Sequence, residues 1–368
     1  VKLDKALYGC IEAARLWYQN LRATLEGMGF KANACDPCVF NKTIDGKQCT
    51  VCVYVDDLLI TSQRAASVEW VIEQLREAYR TITVHRGEQH NYLGMTFDFS
   101  KKGEVRIDMQ KYISDCVDTY QVRGTAATPA SEHLFSVRDS ERLSHEQAEL
   151  FHSIVARLLY LAKRVRPDLL TAVSFLCTRV QQPDKDDWGK LQRLLRYLNG
   201  TKELGIILRA DPGELRVKTY VDASYGVHTD KKSHTGLVIS LGSGPIFVRS
   251  HKQRIVTKST TEAELVGCSD SVTQALWTRE FLGEQGYAMG PAVVYQDNMS
   301  TMHLISNGKA ASERTRHISI RYFWIKDRVD TEEVVVEHLA SEKMLADIVT
   351  KPLQGDLFRN LRRGLLGG

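Results

Sequence analysis

The chain has 368 residues, a formal net charge of +4 and 43% hydrophobic residues. This length and composition favour a folded protein with two or three packed cores. No segment approaches the roughly 18 uninterrupted apolar residues of a membrane-spanning helix, and no signal peptide opens the sequence, so we expect an intracellular protein without a membrane partner. Because the first residue is Val1, we expect a fragment or processing product of a longer chain.

The N-terminal region has the pattern of a hairpin-rich unit with helices packed beside it. Turn residues at Asp45-Gly46 and Asp56-Asp57 separate its strand-like runs. The predicted elements are helices over residues 13–29, 68–79 and 110–120 and strands over residues 38–43, 49–55, 58–61, 92–99 and 104–108.

A polar run over residues 124–148, which includes Pro129, predicts a linker. Three helical patterns follow, over residues 151–163, 167–180 and 187–198. The last third then changes to strand patterns over residues 216–222, 236–241 and 246–254, a long helix, a strand over 293–297, a helix over 316–329, a strand over 333–339 and a short helix over 341–351. This order predicts a mixed sheet with three antiparallel strands and helices on both faces.

Two patterns outside the last third could bind a partner. Residues 150–200 are rich in Lys and Arg, and they could follow nucleic-acid phosphates or form an ordinary solvated helical face. The pairs Cys35–Cys38 and Cys49–Cys52 have zinc-like spacing. Side chains three apart on a strand point to opposite faces, so we interpret these cysteines as free thiols.

Four acids in the last third end strands or lie on the helices that would cover them: Asp222, Glu264, Asp297 and Asp347. Any one of them alone could be a strand-end cap or an exposed helix acid. Together they would repel one another unless divalent cations neutralise them, and hard carboxylate oxygens suit Mg²⁺, with Mn²⁺ as an alternative. Two such ions about 3.5–4 Å apart can hydrolyse a phosphodiester.

Glu262 and Glu264 compete for the helix position in this set. Ser259 and Glu262 have the spacing of a capping box, which gives Glu262 a structural role. Glu264 lies near the edge of the apolar face that packs on the sheet. We therefore predict Glu264 as the metal ligand.

The same region resembles a known family. The stretches YVDASYG, KQRIVTKSTTEAEL, VYQDNMSTM, RTRHISIRYFWIKD and MLADIVTKPL resemble the RNase H domain that closes copia-type retrotransposon polyproteins. The resemblance implies that Asp222, Glu264, Asp297 and Asp347 are catalytic metal ligands and that the substrate is an RNA–DNA hybrid. We interpret His338 as a strand-end surface histidine and His317 as a packing or partner-binding residue.

A second resemblance lies upstream. The stretches KALYG, RLWYQNLRATLEGMGF and CVYVDDLLI resemble the palm of reverse transcriptases, and SIVARLLYLAKRVRPDL and WGKLQRLLRYLNGTKELG resemble the copia-type connection. The likeness implies that Asp56 and Asp57 are catalytic metal ligands of an RNA-directed DNA polymerase that uses an RNA template and a DNA primer.

Two departures bear on the polymerase. The family uses a further palm aspartate and fingers that would lie upstream, so we expect polymerase activity only of the full-length polyprotein. Glu12 stands where the family has a glutamine that helps to hold the incoming nucleotide, and a carboxylate there would repel a triphosphate.

These patterns together predict an α+β reverse-transcriptase palm and connection followed by an α/β RNase H-like domain. The expected boundaries are 1–123 for a partial palm, 124–148 for a linker, 149–212 for a helical thumb or connection, 213–353 for RNase H and 354–368 for a basic tail. We expect a cytoplasmic virus-like particle or the nucleus as the location. The alternative is a catalytically dead nucleic-acid-binding remnant of a degenerate element.

Overall fold

The computed structural model describes residues 9–211, 213, 215–307 and 319–368. The chain divides into two compact units, the first formed by Val1–Tyr92 and Glu280–Ala288 and the second by Leu93–Arg279 and Met289–Gly368. Within the described ranges, no helix is both long and apolar enough to cross a membrane. The division at Tyr92 lies upstream of the linker that composition predicts.

The first unit contains a four-stranded sheet with the order β1-β2-β3-β4, in which all neighbours are antiparallel. Asp45 and Gly46 both have positive φ, as the tight turn between β2 and β3 requires. The predicted hairpin and its flanking helices are confirmed. The elements are α1 (Ile11–Gly27), β1 (Lys31–Ala32), β2 (Val39–Ile44), β3 (Lys47–Tyr54), β4 (Asp57–Ser62), α2 (Ala65–Tyr79) and β5 (Gln89–Tyr92).

The core of the first unit lies where α1 and α2 cover the sheet. Leu21 and Leu25 of α1 and Leu75 of α2 are buried in one cluster with Phe40 and Val51 of the sheet. The apolar residues of α1 recur at helical spacing, which is why this helix buries one face and leaves the other in water. Burial of each such side chain contributes about 1.5–3 kcal/mol.

The second unit begins with a hairpin and a group of helices. Strands β6, β7 and β8 pair in antiparallel order, and Ser144 caps α4 with a complete capping box to Gln147. The sequence did not predict β8. The elements are β6 (Met95–Asp98), β7 (Val105–Asp108), α3 (Gln110–Thr119), α4 (His145–Arg164), α5 (Leu170–Cys177), α6 (Lys185–Asn199) and β8 (Ile206–Ala210).

The rest of the second unit is a mixed α/β arrangement, as the sequence predicts. Its sheet has the order β12-β10-β9-β13-β14, in which β12, β10 and β9 are antiparallel neighbours and β13 is parallel to both β9 and β14. The elements are β9 (Lys218–Ser224), β10 (His234–Ser240), β11 (Gly242–Ser243), β12 (Phe247–Lys252), α7 (Thr260–Glu284, whose residues from Glu280 onward are assigned to the first unit), β13 (Ala292–Gln296), α8 (Met299–Asn307), α9 (Ser319–Asp330), β14 (Val334–His338) and α10 (Gly355–Leu365).

Two segments differ from their sequence-based expectations, and a third is described only in part. Residues 341–351 form two short 3-10 turns, Ser341–Lys343 and Leu345–Val349, in place of one short helix. The expected basic tail contains helix α10, which buries Phe358, Leu361 and Leu365. The first residues of the helix expected over residues 316–329 lie outside the described residues, and α9 covers the described remainder.

The expected linker is also packed against the second unit. Ala130 and Leu134 are buried in the same apolar cluster as residues of α4, α6 and α10. Gln354 Nε2 donates a hydrogen bond of 2.8 Å to the carbonyl oxygen of Ala130. The polar run therefore carries enough apolar side chains to be held on the protein surface, and helix α4 already begins at His145.

Candidate metal centre

Three of the predicted acids converge at one edge of the mixed sheet. Asp222 lies on β9, and Asp297 directly follows the parallel neighbour β13. Asp347 lies in the 3-10 turn Leu345–Val349. One carboxylate oxygen of each lies within 4.8 Å of the others, and this is the one group of three or more potential ligands found among the described residues.

The turn that carries Asp347 is held directly on the sheet. Thr350 Oγ1 donates a hydrogen bond to Asp222 Oδ2. Ser224 Oγ donates to the carbonyl oxygen of Thr350 at 3.2 Å. These contacts join the end of β9 to the turn, so the convergence of Asp222 and Asp347 is fixed by local hydrogen bonds as well as by the fold.

Glu264 lies beside this group on α7. It is 3% exposed, and it accepts a hydrogen bond of 3.3 Å from Gln296 Nε2. Burial, followed by the charges of Asp222 and Asp297, raises the pKa of Glu264 well above its ordinary value. A carboxyl group in this position resists ionisation unless a cation compensates the charge.

Asp347 is perturbed in the same direction. Burial and the charge of Asp222 raise its pKa to about 7, although Lys351 acts to lower it. Asp297 is half-buried, and Ser341 Oγ donates a hydrogen bond of 2.9 Å to its Oδ2 atom. The group therefore combines low exposure with strong mutual repulsion, which an oxygen-binding divalent cation would relieve.

Glu262 and Glu264, near the start of α7, have different surroundings. The backbone amide of Glu262 donates to Ser259 Oγ at 3.2 Å, which is half of the expected capping box. The Glu262 carboxylate accepts from the backbone amide of Lys258 at 2.7 Å. Glu262 thus has a structural role at the start of α7, whereas Glu264 lies against the aspartates.

Sequence reasoning did not identify several residues of this site. Lys351 Nζ contacts both Asp222 and Asp347, while Gln296 and Thr350 hydrogen-bond to the acids. One signal was available for Lys351, because it follows Asp347 by four residues, the spacing of neighbours on one helical face. Gln296 directly precedes Asp297, but nothing in its type or spacing marks it.

The predicted polymerase acids belong to the first unit. Asp56 is exposed on the turn between β3 and β4, and Asp57 is exposed as the first residue of β4. Tyr54 pairs with Asp57, so the two loop residues are Val55 and Asp56 rather than Asp56 and Asp57. Val55 has a φ of 56°, which is strained for a β-branched residue, and Trp17 Nε1 donates to its carbonyl oxygen at 2.6 Å.

Glu12 is exposed in the first turn of α1. Residues 5–8 of the KALYG stretch lie outside the described residues, as does His317. His338 is exposed at the end of β14, where its Cα pairs with that of Gln296. Its position agrees with the interpretation as a strand-end surface histidine.

Much of the basic stretch is engaged within the chain. Arg166 is fully buried against Asp168, and Arg179 pairs with both Asp184 and Asp187. These two arginines have structural partners within the chain, so neither sequence-based interpretation of the stretch applies to them. Cys49 is buried on β3 and Cys52 is half-buried, and both are free thiols.

A family model described as reverse transcriptase (RNA-dependent DNA polymerase) matches residues 1–131. Among solved structures, RNase H1 from the archaeon Halobacterium salinarum aligns with 37% of this chain and 94% of its own length, at 14% identity and a TM-score of 0.28.

Two plant retrotransposon polyproteins align with nearly the whole chain. The retrovirus-related Pol polyprotein from transposon RE2 of Arabidopsis thaliana is 31% identical over 98% of this chain and 25% of its own length. That from transposon TNT 1-94 of Nicotiana tabacum is 28% identical over 97% of this chain and 27% of its own length. The chain thus spans about a quarter of these relatives, and it belongs to the family of copia-type retrotransposon Pol polyproteins.

Proposed function

We propose that residues 213–353 form an RNase H domain that hydrolyses the RNA strand of RNA–DNA hybrids with two divalent metal ions. The observation that carries this proposal is the convergence of Asp222, Asp297 and Asp347 within 4.8 Å. Their donor set consists only of oxygen atoms, which fits Mg²⁺, with Mn²⁺ as an alternative. The raised pKa of Asp347 indicates that its charge lacks sufficient compensation in the protein alone.

When bound, two such ions would activate a water molecule and stabilise the leaving oxygen of the phosphodiester. The protein supplies the ligands and holds their geometry. Asp222, Asp297 and Asp347 would bind the ions, with Glu264 completing the set. Gln296 orients Glu264 through its amide, and Ser341 fixes one oxygen of Asp297.

The polymerase role is a proposal for the longer protein. Asp56 and Asp57 would hold the metal ions for RNA-directed DNA synthesis on an RNA template and a DNA primer. This activity would need upstream parts of the polyprotein. Residues 1–123 would then form part of the palm and residues 149–212 the connection, working in a virus-like particle or the nucleus.

A labelled RNA–DNA hybrid incubated with the chain and Mg²⁺ tests the nuclease. We expect cleavage of the RNA strand, and Asp297→Asn should reduce the rate by at least roughly 100-fold because one ligand of the metal site is lost. Asp356→Asn is the matched control, since Asp356 is exposed at the start of α10 and pairs with Arg359 three residues away. Cleavage that is equal in all three proteins would sink the assignment.

A second candidate is a non-catalytic nucleic-acid-binding remnant of a degenerate element. Glu12 favours it, because a carboxylate replaces the glutamine that the resemblance leads one to expect. Binding of the hybrid without cleavage, in both Mg²⁺ and Mn²⁺, would select this candidate. The same assay therefore separates the two functions.

A further inference from the structure

Lys351 forms a cationic bridge inside the acidic site. Its Nζ atom lies 3.1 Å from Asp222 Oδ1 and 2.9 Å from Asp347 Oδ1. The contact to Asp347 is an i,i+4 pair, while the contact to Asp222 joins residues 129 positions apart. One ammonium group thus spans the two most buried aspartates of the site.

Among the described residues, Lys351 is the one basic residue that forms an ion pair with the aspartates of the site. Within those ranges, no other Lys, Arg or His forms an ion pair with Asp222, Asp297 or Asp347. A lysine side chain is ordinarily charged at neutral pH. Because the Lys351 ammonium contacts both carboxylates, it occupies the region between two acids where a metal ion would also be attracted.

The ammonium group of Lys351 has space to move away from the two aspartates. Its side chain is 37% exposed, whereas those of Asp222 and Asp347 are 3% and 8% exposed. Lys351 lines a cavity of about 500 Å³ that is bordered by Glu132 and Ser136 as well. A lysine has a flexible four-carbon stem, so its head group can move into this cavity while the backbone stays in place.

We infer that Lys351 is an internal counter-cation that holds Asp222 and Asp347 together in the metal-free protein and that a divalent ion must displace to bind them. This inference rests on the metal site of the proposed function. It gives Lys351 two measurable effects of opposite sign. The residue stabilises the metal-free fold, and it weakens binding of the divalent ion, because the ion must first break two ion pairs.

The alternative is an ordinary structural salt bridge that remains in place when metal binds. Under that alternative, removal of the charge leaves the metal affinity unchanged or lowers it through loss of order in the turn. The two accounts therefore predict opposite changes in affinity for the same variant.

The first experiment measures thermal unfolding in EDTA. Lys351→Met removes the charge and keeps most of the stem, so the melting temperature should fall by roughly 2–6 °C as Asp222 and Asp347 repel each other. Lys343→Met removes the same charge from the neighbouring 3-10 turn, where Lys343 is exposed, and should change the melting temperature little. Equal melting temperatures for wild type and Lys351→Met would contradict the inference.

The second experiment titrates Mn²⁺ into each metal-free protein by calorimetry. We expect Lys351→Met to bind at least roughly tenfold more tightly than wild type, and Lys343→Met to bind like wild type. Lys351→Gln serves as a second uncharged variant if Lys351→Met does not fold, and Lys351→Arg should restore the wild-type affinity. Unchanged or weaker binding by the uncharged variants would overturn the inference.

The outcomes also separate this inference from the proposed function. Wild type and Lys351→Met could bind Mn²⁺ equally well while hybrid cleavage depends on Asp297. That outcome would overturn the role of Lys351 and leave the proposed nuclease function standing. Tighter binding in Lys351→Met without any cleavage of the hybrid would support the counter-cation and remove the nuclease. Absence of Mn²⁺ binding in all proteins would overturn both.

Discussion

Gly236 pairs with Asp222 across the antiparallel strands β10 and β9. A Cβ atom built on Gly236 would lie 2.5 Å from Thr350 Cγ2 and 2.8 Å from Val349 Cγ2. The missing side chain is therefore the space into which the end of the Asp347-bearing turn packs. The close approach of this turn to the sheet places Asp347 beside Asp222.

We predict that Gly236→Ala displaces the turn. The added methyl group should lower the free energy of unfolding by about 1–3 kcal/mol through overpacking. A shift of the order of an ångström in Asp347 should reduce hybrid cleavage by roughly 10–100-fold. Chemical denaturation and the hybrid assay measure the two effects.

Gly189→Ala is the control for this variant. Gly189 lies in the interior of α6, and nothing lies within 4 Å of its virtual Cβ. Alanine has the higher helix propensity, so this variant should gain about 0.5–1 kcal/mol of stability and keep its activity. Wild-type cleavage by Gly236→Ala would show that the turn does not need the close approach.

The sequence alone was sufficient to predict the acids of the candidate site, but not the residues that hold these acids in position. Asp222 and Asp297 could be predicted because each follows or ends a strand-like apolar run, and acids at the ends of neighbouring strands meet at one sheet edge. Gly236 and Lys351 act through contacts with residues distant in sequence. Their roles depend on strand register and on the packing of the turn, which a linear pattern does not contain.

The same limit explains the missed elements. Arginines surround the apolar positions Phe358, Leu361 and Leu365, so residues 354–368 have the composition of a tail, although the spacing is helical. The run over residues 124–148 is polar on average, but Ala130 and Leu134 are enough to hold it against α4 and α6. The average composition of these two segments is polar, and it does not reveal the few apolar residues that are buried in the core.

The raised pKa of Asp347 predicts that the metal-free protein loses stability as the pH rises. Its folded-state pKa of about 7 lies above the ordinary value of 3.8, so the folded state binds more protons between these pH values. Stability should therefore fall as the pH rises from about 4 to 7 and level off above that. The Asp347→Asn variant lacks this titrating group. Its free energy of unfolding should therefore rise relative to that of wild type by on the order of 1–3 kcal/mol across the same pH interval.

Denaturant unfolding of both proteins in EDTA at pH 5 and pH 8 measures this gain. The other titrating groups are present in both proteins, so the comparison isolates Asp347. Saturating Mg²⁺ should reverse the advantage of the variant at pH 8, because the ion compensates the carboxylate charge. A wild-type–variant difference that stays the same from pH 5 to pH 8 in EDTA would refute the assigned cause.

The turn between β3 and β4 predicts an unusual response to glycine. Val55 is 55% exposed and has a φ of 56°, so it contributes little burial and carries backbone strain. Val55→Gly should raise the free energy of unfolding by about 0.5–1.5 kcal/mol. Val256 is equally exposed at 55% and is not among the residues with positive φ, so Val256→Gly should lower it by about 0.5–1 kcal/mol.

Thermal and denaturant unfolding compare these two valine variants. Trp17→Phe is a third variant, because it keeps an aromatic ring at the position where the centroid of Trp17 lies 5.3 Å from that of Tyr79, but removes the donor to the carbonyl oxygen of Val55. Trp17→Phe should lower the free energy of unfolding by about 0.5–1.5 kcal/mol, as expected for one lost hydrogen bond. If both glycine variants are destabilised equally, the turn at Val55 carries no strain.

The turn that carries Asp347 packs on helices that precede residue 213. Val349 from the Asp347-bearing turn is buried in one apolar cluster with Leu158 of α4, Leu194 of α6 and Leu361 of α10. Thr171 Oγ1 of α5 donates a hydrogen bond of 2.7 Å to the carbonyl oxygen of Ile348. The helices before residue 213 thus form the platform on which the turn rests.

A truncated chain of residues 213–368 should therefore fail to unfold cooperatively, whereas residues 93–368 should show one sharp transition. The shorter chain loses the partners of several buried side chains, each of which contributes about 1.5–3 kcal/mol. That loss is comparable with the whole stability of a domain, about 5–15 kcal/mol. Circular dichroism melts and binding of a hydrophobic dye compare the two chains, and a sharp transition in residues 213–368 at the melting temperature of the longer chain would establish an independent domain.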